Sequence, residues 1–167
     1  MDAGTQAWID QENARLTTAI RRNSWLIQYV GGEACSRPGC SCEPAADPPF
    51  AYTVGLFGLG HPELLIFGVP PETAGGVMND LGSRVRNGEA LLPGQLVTFD
   101  WWPHRVIPEV VPNPGDIVFT ANDFYQRPDE YSVPVLQLSY DNTAGRFPWE
   151  EDCAAPDMQP RPGTFRA

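Results

Sequence analysis

The sequence of 167 residues contains no lysine, and all 11 of its basic side chains are arginine. This absence excludes Schiff-base chemistry and any phosphate-binding loop that depends on lysine. Histidine is almost as rare, with two residues, His61 and His104. The sequence therefore offers few candidate residues for acid–base catalysis near neutral pH.

Basic charge is also scarce relative to acidic charge. The chain has 21 acidic residues and a formal net charge of -10, with a pI near 4.5. This balance argues against broad electrostatic contact with nucleic acid or with an anionic membrane. An acidic surface commonly keeps a protein soluble, and it is also compatible with a basic protein partner. We therefore expect a small molecule or a protein as the partner.

Long apolar runs are missing as well. No run approaches the roughly 20 residues that a membrane-spanning helix requires. The N-terminus, MDAGTQAWIDQENARL, lacks a basic segment followed by an apolar one, so no signal peptide is indicated. The sequence therefore predicts a soluble, cytoplasmic protein. In a reducing compartment, cysteines are more often thiols or metal ligands than a disulfide framework.

Four cysteines are present, and three of them share the segment EACSRPGCSCEPAADPP. Cys35, Cys40 and Cys42 have the spacing C-x4-C-x-C, and Cys153 lies far along the chain. Thiolates suit a tetrahedral structural zinc site, which Cys153 or a histidine would complete. The spacing departs from the usual C-x2-C, so ordinary thiols or a redox pair of Cys40 and Cys42 remain as alternatives.

Hydrophobic periodicity predicts two main helices. The first spans residues 5–22, and the second starts at the Pro-Pro-Glu of residues 70–72 and ends near Gly88. Inside the second helix lie three glycines, Gly75, Gly76 and Gly82. Each costs on the order of 1 kcal/mol relative to alanine. They indicate close approach, either of the sheet or of a ligand.

Six segments have the composition of strands: residues 25–30, 50–56, 63–69, 95–102, 104–111 and 133–140. With the helices, they predict an α+β fold with a mostly antiparallel, curved sheet. We expect residues 1–150 to form one globular domain, which includes a cysteine-rich loop at residues 33–49. Residues 151–167 are rich in proline and small side chains, so we expect a flexible C-terminal tail.

Several short motifs follow one another between residues 49 and 150: YTVGL, HPELLIFG, a helix that ends in RNGE, VPVLQL and GRFPWE. On these motifs, the segment resembles a bacterial family of domains of unknown function, DUF4262. The family has no established activity, so the resemblance implies no catalytic residues. The first helix and the cysteine-rich loop lie outside the segment that carries the resemblance.

Two histidines and one carboxylate are candidates for catalysis: His61, Glu63 and His104. Each is expected where a strand begins or ends. If the hairpins end at the same side of the sheet, these side chains face one cleft. They then suffice for a divalent metal with open positions, or for general acid–base catalysis. The alternative is that His61 caps a turn and His104 forms a local hydrogen bond.

Trp101, Trp102 and Arg105 are candidates for ligand binding. Because the two tryptophans are adjacent in a predicted strand, their side chains should point to opposite faces of the sheet. One of them is therefore expected to line a pocket, where Arg105 would bind an anionic group. The glycines before His61 favour a sharp turn, so we expect the HPE turn, residues 61–63, at the rim of that pocket.

Three hypotheses for function follow. The chain is a module that binds a small molecule or a protein near the HPE turn, or a small enzyme that uses its histidines and Glu63. As a third hypothesis, it is an acidic immunity or inhibitor protein directed against a basic toxin. No nucleophile–base motif, phosphate loop or dinucleotide fingerprint appears in the sequence, so the binding module is preferred.

Overall fold

A computed structural model describes residues 2–31, 47–153 and 158–167. Within these ranges, the elements in chain order are α1 (Ala3–Asn23), β1 (Leu26–Val30), β2 (Phe50–Val54), β3 (Glu63–Phe67), α2 (Pro71–Arg86), β4 (Val106–Val110), α3 (Phe119–Phe124) and β5 (Val135–Tyr140). The α+β fold class is confirmed. The described residues contain one strand fewer and one helix more than the sequence predicts.

The five strands form one sheet in the order β1-β2-β3-β5-β4. All neighbours are antiparallel except β3 and β5, which are parallel, with Glu63 opposite Val135. The sheet is open, so β1 and β4 are its two edges. A parallel pair requires a crossover, and the chain from β3 to β5 supplies one that contains α2, β4 and α3.

The strand predicted for residues 95–102 is absent from the sheet. Only Val97 pairs, as an isolated bridge to Val106 on the outer edge of β4. The next residue of β4 that faces outward is Pro108, which has no N–H and accepts a single hydrogen bond from Gly94. A regular ladder therefore cannot continue along this edge.

Apolar side chains cover both faces of the sheet, as the alternation of residues along a strand dictates. On one face, Leu64 and Ile66 of β3 pack with α2. On the other face, Leu65 and Phe67 pack with a cluster that includes α3. Every residue of β2 and β3 is buried, so these central strands form the middle of a sheet that is covered on both sides.

Two of the three glycines of α2 are approached closely by tryptophan rings. A Cβ atom at Gly76 would lie 2.8 Å from the ring of Trp101, and one at Gly82 would lie 2.7 Å from the ring of Trp25. At Gly75 no atom lies within 4 Å of such a Cβ. The close approach expected from sequence is therefore made by the protein's own side chains at two positions.

The longest helix, α1, has 21 residues and no buried one. It contacts β1, the strand that follows it. Its last turn carries Arg21 and Arg22, a common arrangement because cations interact favourably with the C-terminal end of a helix. Within the described ranges, no helix has the length and the apolar character that crossing a membrane demands.

The described part of the C-terminal segment, residues 158–167, packs against the sheet. The side-chain amide of Gln159 pairs with the backbone of Tyr140, at 3.0 Å and 2.9 Å. Phe165 packs edge-on against Phe67, with ring centroids 5.0 Å apart. The described part of the segment thus forms specific hydrogen bonds and a partly buried aromatic contact, whereas the flexibility that the composition predicts stays a prediction.

Candidate functional site

The HPE turn is built around a buried carboxylate. Glu63, the first residue of β3, has no exposed surface and accepts four hydrogen bonds. They come from the Thr53 hydroxyl at 2.5 Å and from the backbone N–H groups of Gly55 at 2.9 Å, Phe57 at 3.0 Å and Leu56 at 3.3 Å. Glu63 therefore holds the chain between β2 and β3 from the inside.

This turn requires glycine at its start. Gly55 has a φ of 136°, and a Cβ atom there would lie 2.4 Å from the carbonyl oxygen of Ser24. An L-residue would be strained in that conformation and would also clash. The glycine lets the following N–H groups converge on Glu63.

Burial raises the pKa of the Glu63 carboxyl, and the hydrogen bonds from Thr53 and the turn backbone oppose this change. Burial and the nearby charge of Glu63 raise the pKa of Tyr125 to about 12. The hydroxyl of Tyr125 accepts a hydrogen bond from the Gly58 N–H at 3.2 Å. Because Glu63 has no exposed surface, this arrangement supports an anchor inside the fold more than a catalytic base.

His61 is also enclosed, with 7% of its surface exposed. Its Nε2 accepts a hydrogen bond from the Leu91 N–H at 3.1 Å, and its Nδ1 lies 2.8 Å from the carbonyl oxygen of Pro62. This pattern fits the neutral tautomer with its proton on Nδ1. Both ring nitrogens are engaged, so His61 ties the turn to the segment after α2.

His104 lies at the other end of the sheet. Its Nδ1 donates to the carbonyl oxygen of Asp141 at 2.6 Å, just after β5 ends, whereas Glu63 pairs with Val135, where β5 begins. Roughly 20 Å of strand separates these two ends. The structure therefore does not bring His61, Glu63 and His104 into one cleft, because Glu63 lies beside the start of β5 whereas His104 bonds to the residue after its end.

Trp101 and Trp102 lie in a loop and not in a strand. Their rings stack on each other with centroids 6.2 Å apart, so they do not point to opposite faces of the sheet. The Trp101 Nε1 donates to Asp80 of α2 at 2.9 Å. Arg105 donates to the Asp141 carboxylate at 2.7 Å. These three candidate ligand-binding side chains are thus engaged with the protein itself.

The cysteine cluster falls mostly outside the described residues. Cys35, Cys40 and Cys42 lie in that part of the chain, while Cys153 is described and half-buried. In the described ranges, no group of three or more histidine, cysteine or carboxylate side chains is arranged to hold a metal ion. The structural zinc site stays a prediction.

A groove of about 640 Å³ lies along β4 at the edge of the sheet. Its floor is formed by residues 107–110, and its walls by Pro93, Gly94, Trp149, Arg161 and Pro162. Two large apolar side chains are exposed here, Val110 at 60% and Trp149 at 43%. We name this feature the β4 groove.

The charged residues of the β4 groove neutralise each other. Arg161 donates two hydrogen bonds to the Glu109 carboxylate, at 2.8 Å and 2.7 Å, and the Ser139 hydroxyl donates a third at 2.6 Å. Burial opposes ionisation, but the bonds from Arg161 and Ser139 and the charge of Arg161 hold the pKa of Glu109 below its ordinary value. The Arg161 guanidinium also lies 5.0 Å from the centre of the Trp149 ring.

The backbone of Val110 in β4 faces the groove side. The Val111 N–H donates to Val135 of β5, so the N–H and C=O of Val110 point away from β5. Among the described residues, neither group forms a hydrogen bond. Pro108 lacks an N–H, so it limits further pairing along this edge.

Sequence reasoning does not single out the residues of this groove. Trp149 belongs to the motif GRFPWE, where it carries only the family resemblance, and Arg161 lies in the segment expected to be a flexible tail. The sequence features that could point to the groove are Trp149, which follows a proline, and Arg161, which lies in a proline-rich stretch. That signal indicates no contact with β4, because Arg161 and Glu109 are 52 positions apart.

Comparison with known protein families gives a match over most of the chain. The model of a family described as a domain of unknown function, DUF4262, matches residues 19–154. No curated protein and no solved structure matches the chain. The match begins earlier than the resemblance at residues 49–150, and it includes the end of α1, β1 and the cysteine-rich loop. Because it covers most of the sequence, the chain belongs to the DUF4262 family.

Proposed function

We propose that the protein is a binding module whose β4 groove holds an extended, basic segment of a partner protein. The exposed apolar surface of Val110 and Trp149 in one groove is the observation that carries this proposal. Exposed apolar surface grouped in a groove is characteristic of interaction sites, and tryptophan is enriched among the residues that contribute most to binding. The cytoplasmic location expected from sequence stays a prediction.

The shape of the groove favours an extended segment. Its floor is made of four consecutive residues of one strand, which span roughly 13 Å. The free N–H and C=O groups of Val110 offer one pair of backbone hydrogen bonds to a strand-like ligand. Most of the recognition must then come from side chains, because Pro108 blocks a longer ladder.

Charge favours a basic partner. The chain has a net charge of -10, and three acidic residues, 150–152, directly follow Trp149. Arg146 is near two of them, at 3.6 Å from Glu150 and 4.0 Å from Asp152. A single exposed arginine does not balance three acids, so the segment that directly follows Trp149 is acidic. Complementary charge accelerates association and helps to select the partner.

The enzyme hypothesis has less support. Glu63 and His61 are buried and hydrogen-bonded, and His104 lies at the other end of the sheet. An immunity or inhibitor protein is a special case of the proposed function, in which the basic partner is a toxin. The proposal moves the expected pocket from the HPE turn to β4.

Selection from a library of random linear peptides displayed on phage tests this proposal. We expect the enriched peptides to carry arginine or lysine beside apolar side chains. Val110→Arg should weaken their binding at least about tenfold, or ~1.4 kcal/mol, because it replaces apolar contact with like charge. Its melting temperature should stay near that of the wild type, since this side chain is exposed.

Val30→Arg is the matched control. Val30 is an exposed valine, at 36%, on the opposite edge strand β1. This variant should bind the selected peptides as the wild type does. The proposal fails if no peptide is enriched above background, or if the selected peptides bind Val110→Arg and wild type equally well.

A further inference from the structure

A second groove, of about 480 Å³, lies at the opposite edge of the sheet. It forms where α1 and α2 both end, beside the start of β1. Arg22 enters it from α1 and Arg86 from α2, and Trp25 lies between them at the start of the strand. The Arg86 guanidinium is 5.3 Å from the centre of the Trp25 ring. We name this feature the arginine groove.

The two arginines of this groove lack acidic partners within the described ranges. Six other arginines form ion pairs with carboxylates: Arg15, Arg84, Arg105, Arg146, Arg161 and Arg166. Among the residues that the structure describes, neither Arg22 nor Arg86 does, and no acidic residue lines the arginine groove. In a chain of net charge -10, two such cations at one groove form a local positive site.

Neutral donors of α2 face the same groove. Asn79, Ser83 and Arg86 are spaced by four and three residues, so they lie on one face of the helix. The Oδ1 of Asn79 accepts a hydrogen bond from the Trp25 Nε1 at 3.0 Å, which leaves the amide nitrogen to donate elsewhere. In the described part of the chain, the Ser83 hydroxyl has no hydrogen-bond partner.

We propose that the arginine groove binds the phosphate group of a small organic molecule. Guanidinium groups bind phosphate oxygens through paired hydrogen bonds, and Asn79 and Ser83 supply two more donors. The groove is larger than one phosphate ion needs, and the apolar side chains of Leu26 and Ile27 also line it. These side chains give the organic part of the molecule a surface to contact.

Helix electrostatics alone explain part of this arrangement. Arginine in the last turn stabilises a helix, and α1 and α2 each carry two arginines there. This role accounts for Arg21 and Arg84 as well, which do not line the arginine groove. It does not account for the side-chain donors of Asn79 and Ser83 at the same place.

Calorimetric titration of the full chain at constant ionic strength tests the proposal. The ligands are inorganic phosphate and phosphoserine, and serine is the control for phosphoserine. Phosphate should bind while chloride and acetate do not, and phosphoserine should bind more tightly than phosphate. Arg86→Ala should weaken binding at least about tenfold. Ser83→Ala should weaken it about threefold without loss of stability, because alanine favours the helix and no charge changes.

Arg21→Ala is the control. Like Arg86→Ala, it removes one positive charge from the last turn of a helix, but Arg21 does not line the groove. Equal weakening by Arg21→Ala and Arg86→Ala would overturn the proposal, since it would show general attraction by surface charge. So would the absence of phosphate binding, or acetate binding equal to that of phosphate. Val110→Arg in the β4 groove should leave phosphate binding unchanged. The experiments on the two grooves therefore test the two proposed sites independently.

Discussion

Glu63 shows at the scale of one residue how this fold retains a charged side chain in its interior. Its carboxylate accepts bonds from one hydroxyl and three backbone N–H groups, all of them within the preceding ten residues. Buried polar groups need such partners, because an unpaired one costs free energy. The local motif therefore supplies both the charge and the groups that satisfy it.

Glu63→Gln should lower the free energy of unfolding by about 3 kcal/mol or more. Glutamine has nearly the same shape, but its NH2 group faces N–H donors and leaves them unsatisfied. Denaturant unfolding measures the change. Glu72→Gln is the control, because Glu72 is exposed in the first turn of α2, and it should cost less than about 1 kcal/mol. Equal losses in both variants would contradict the role given to Glu63.

The sequence identifies the HPE turn as a special place but not as a buried one. Glycines, His61 and Glu63 between two apolar strands are compatible with a pocket rim and with an internal anchor alike. The choice depends on Leu91 and Tyr125, which reach the turn from other segments. Contacts between distant segments follow from the tertiary fold, so the pattern of one segment does not predict them.

At the scale of elements, α2 depends on glycine for its packing against tryptophan. Gly82 gives space to Trp25, whereas Gly75 faces open space. Gly82→Ala should destabilise the protein, by about 1–3 kcal/mol, because its Cβ would overlap the Trp25 ring. Gly75→Ala should stabilise it by up to about 1 kcal/mol through helix propensity. Thermal unfolding measures the change in stability of both variants. Stabilisation by Gly82→Ala as well as by Gly75→Ala would contradict this account, because it would show that the Trp25 ring moves aside at little cost.

The bounds of the two main helices and of five strands are close to those predicted, because apolar periodicity and turn residues mark them. The segment of residues 95–102 is different. It has the composition of a strand, but a strand needs a partner with free N–H and C=O groups. Pro108 removes an N–H from the edge strand β4, which this segment meets at Val97. Because residues 101 and 102 do not form a strand, the prediction that the Trp101 and Trp102 side chains point to opposite faces of the sheet is also wrong.

The C-terminal segment should detach in acid. The folded pKa of Glu109 lies below its ordinary value of 4.5, so the stabilisation by its bonds to Arg161 is complete above about pH 4.5. It is lost as the pH falls from there through the folded pKa. Hydrogen exchange of the Tyr140 amide, which donates to Gln159, should accelerate over this range.

Glu109→Gln is the reference for this pH dependence, because it cannot titrate. In this variant the Tyr140 amide should exchange faster already at neutral pH. Once the intrinsic pH dependence of amide exchange is subtracted, its exchange rate should not rise further below about pH 4.5. Acid-dependent opening of the same size in Glu109→Gln and in wild type would assign the effect to another carboxylate.

At the scale of the whole molecule, the sheet presents two different edges. β4 offers a groove with the exposed side chains of Val110 and Trp149, and β1 lies beside a groove with two arginines. Composition alone indicates an acidic chain, and it gives no account of this division. The division arises because the C-terminal segment folds back on β4 while α1 and α2 end together beside β1.

The central claim is that a partner segment binds in the β4 groove, and two-dimensional NMR tests it most directly. The full 15N-labelled chain is titrated with a peptide chosen by the phage selection. The account predicts the largest shifts at the backbone amides of Ile107, Glu109 and Val110 and at the indole N–H of Trp149, with little change at His61. Shifts centred on His61, Glu63 and Leu91 instead would contradict it.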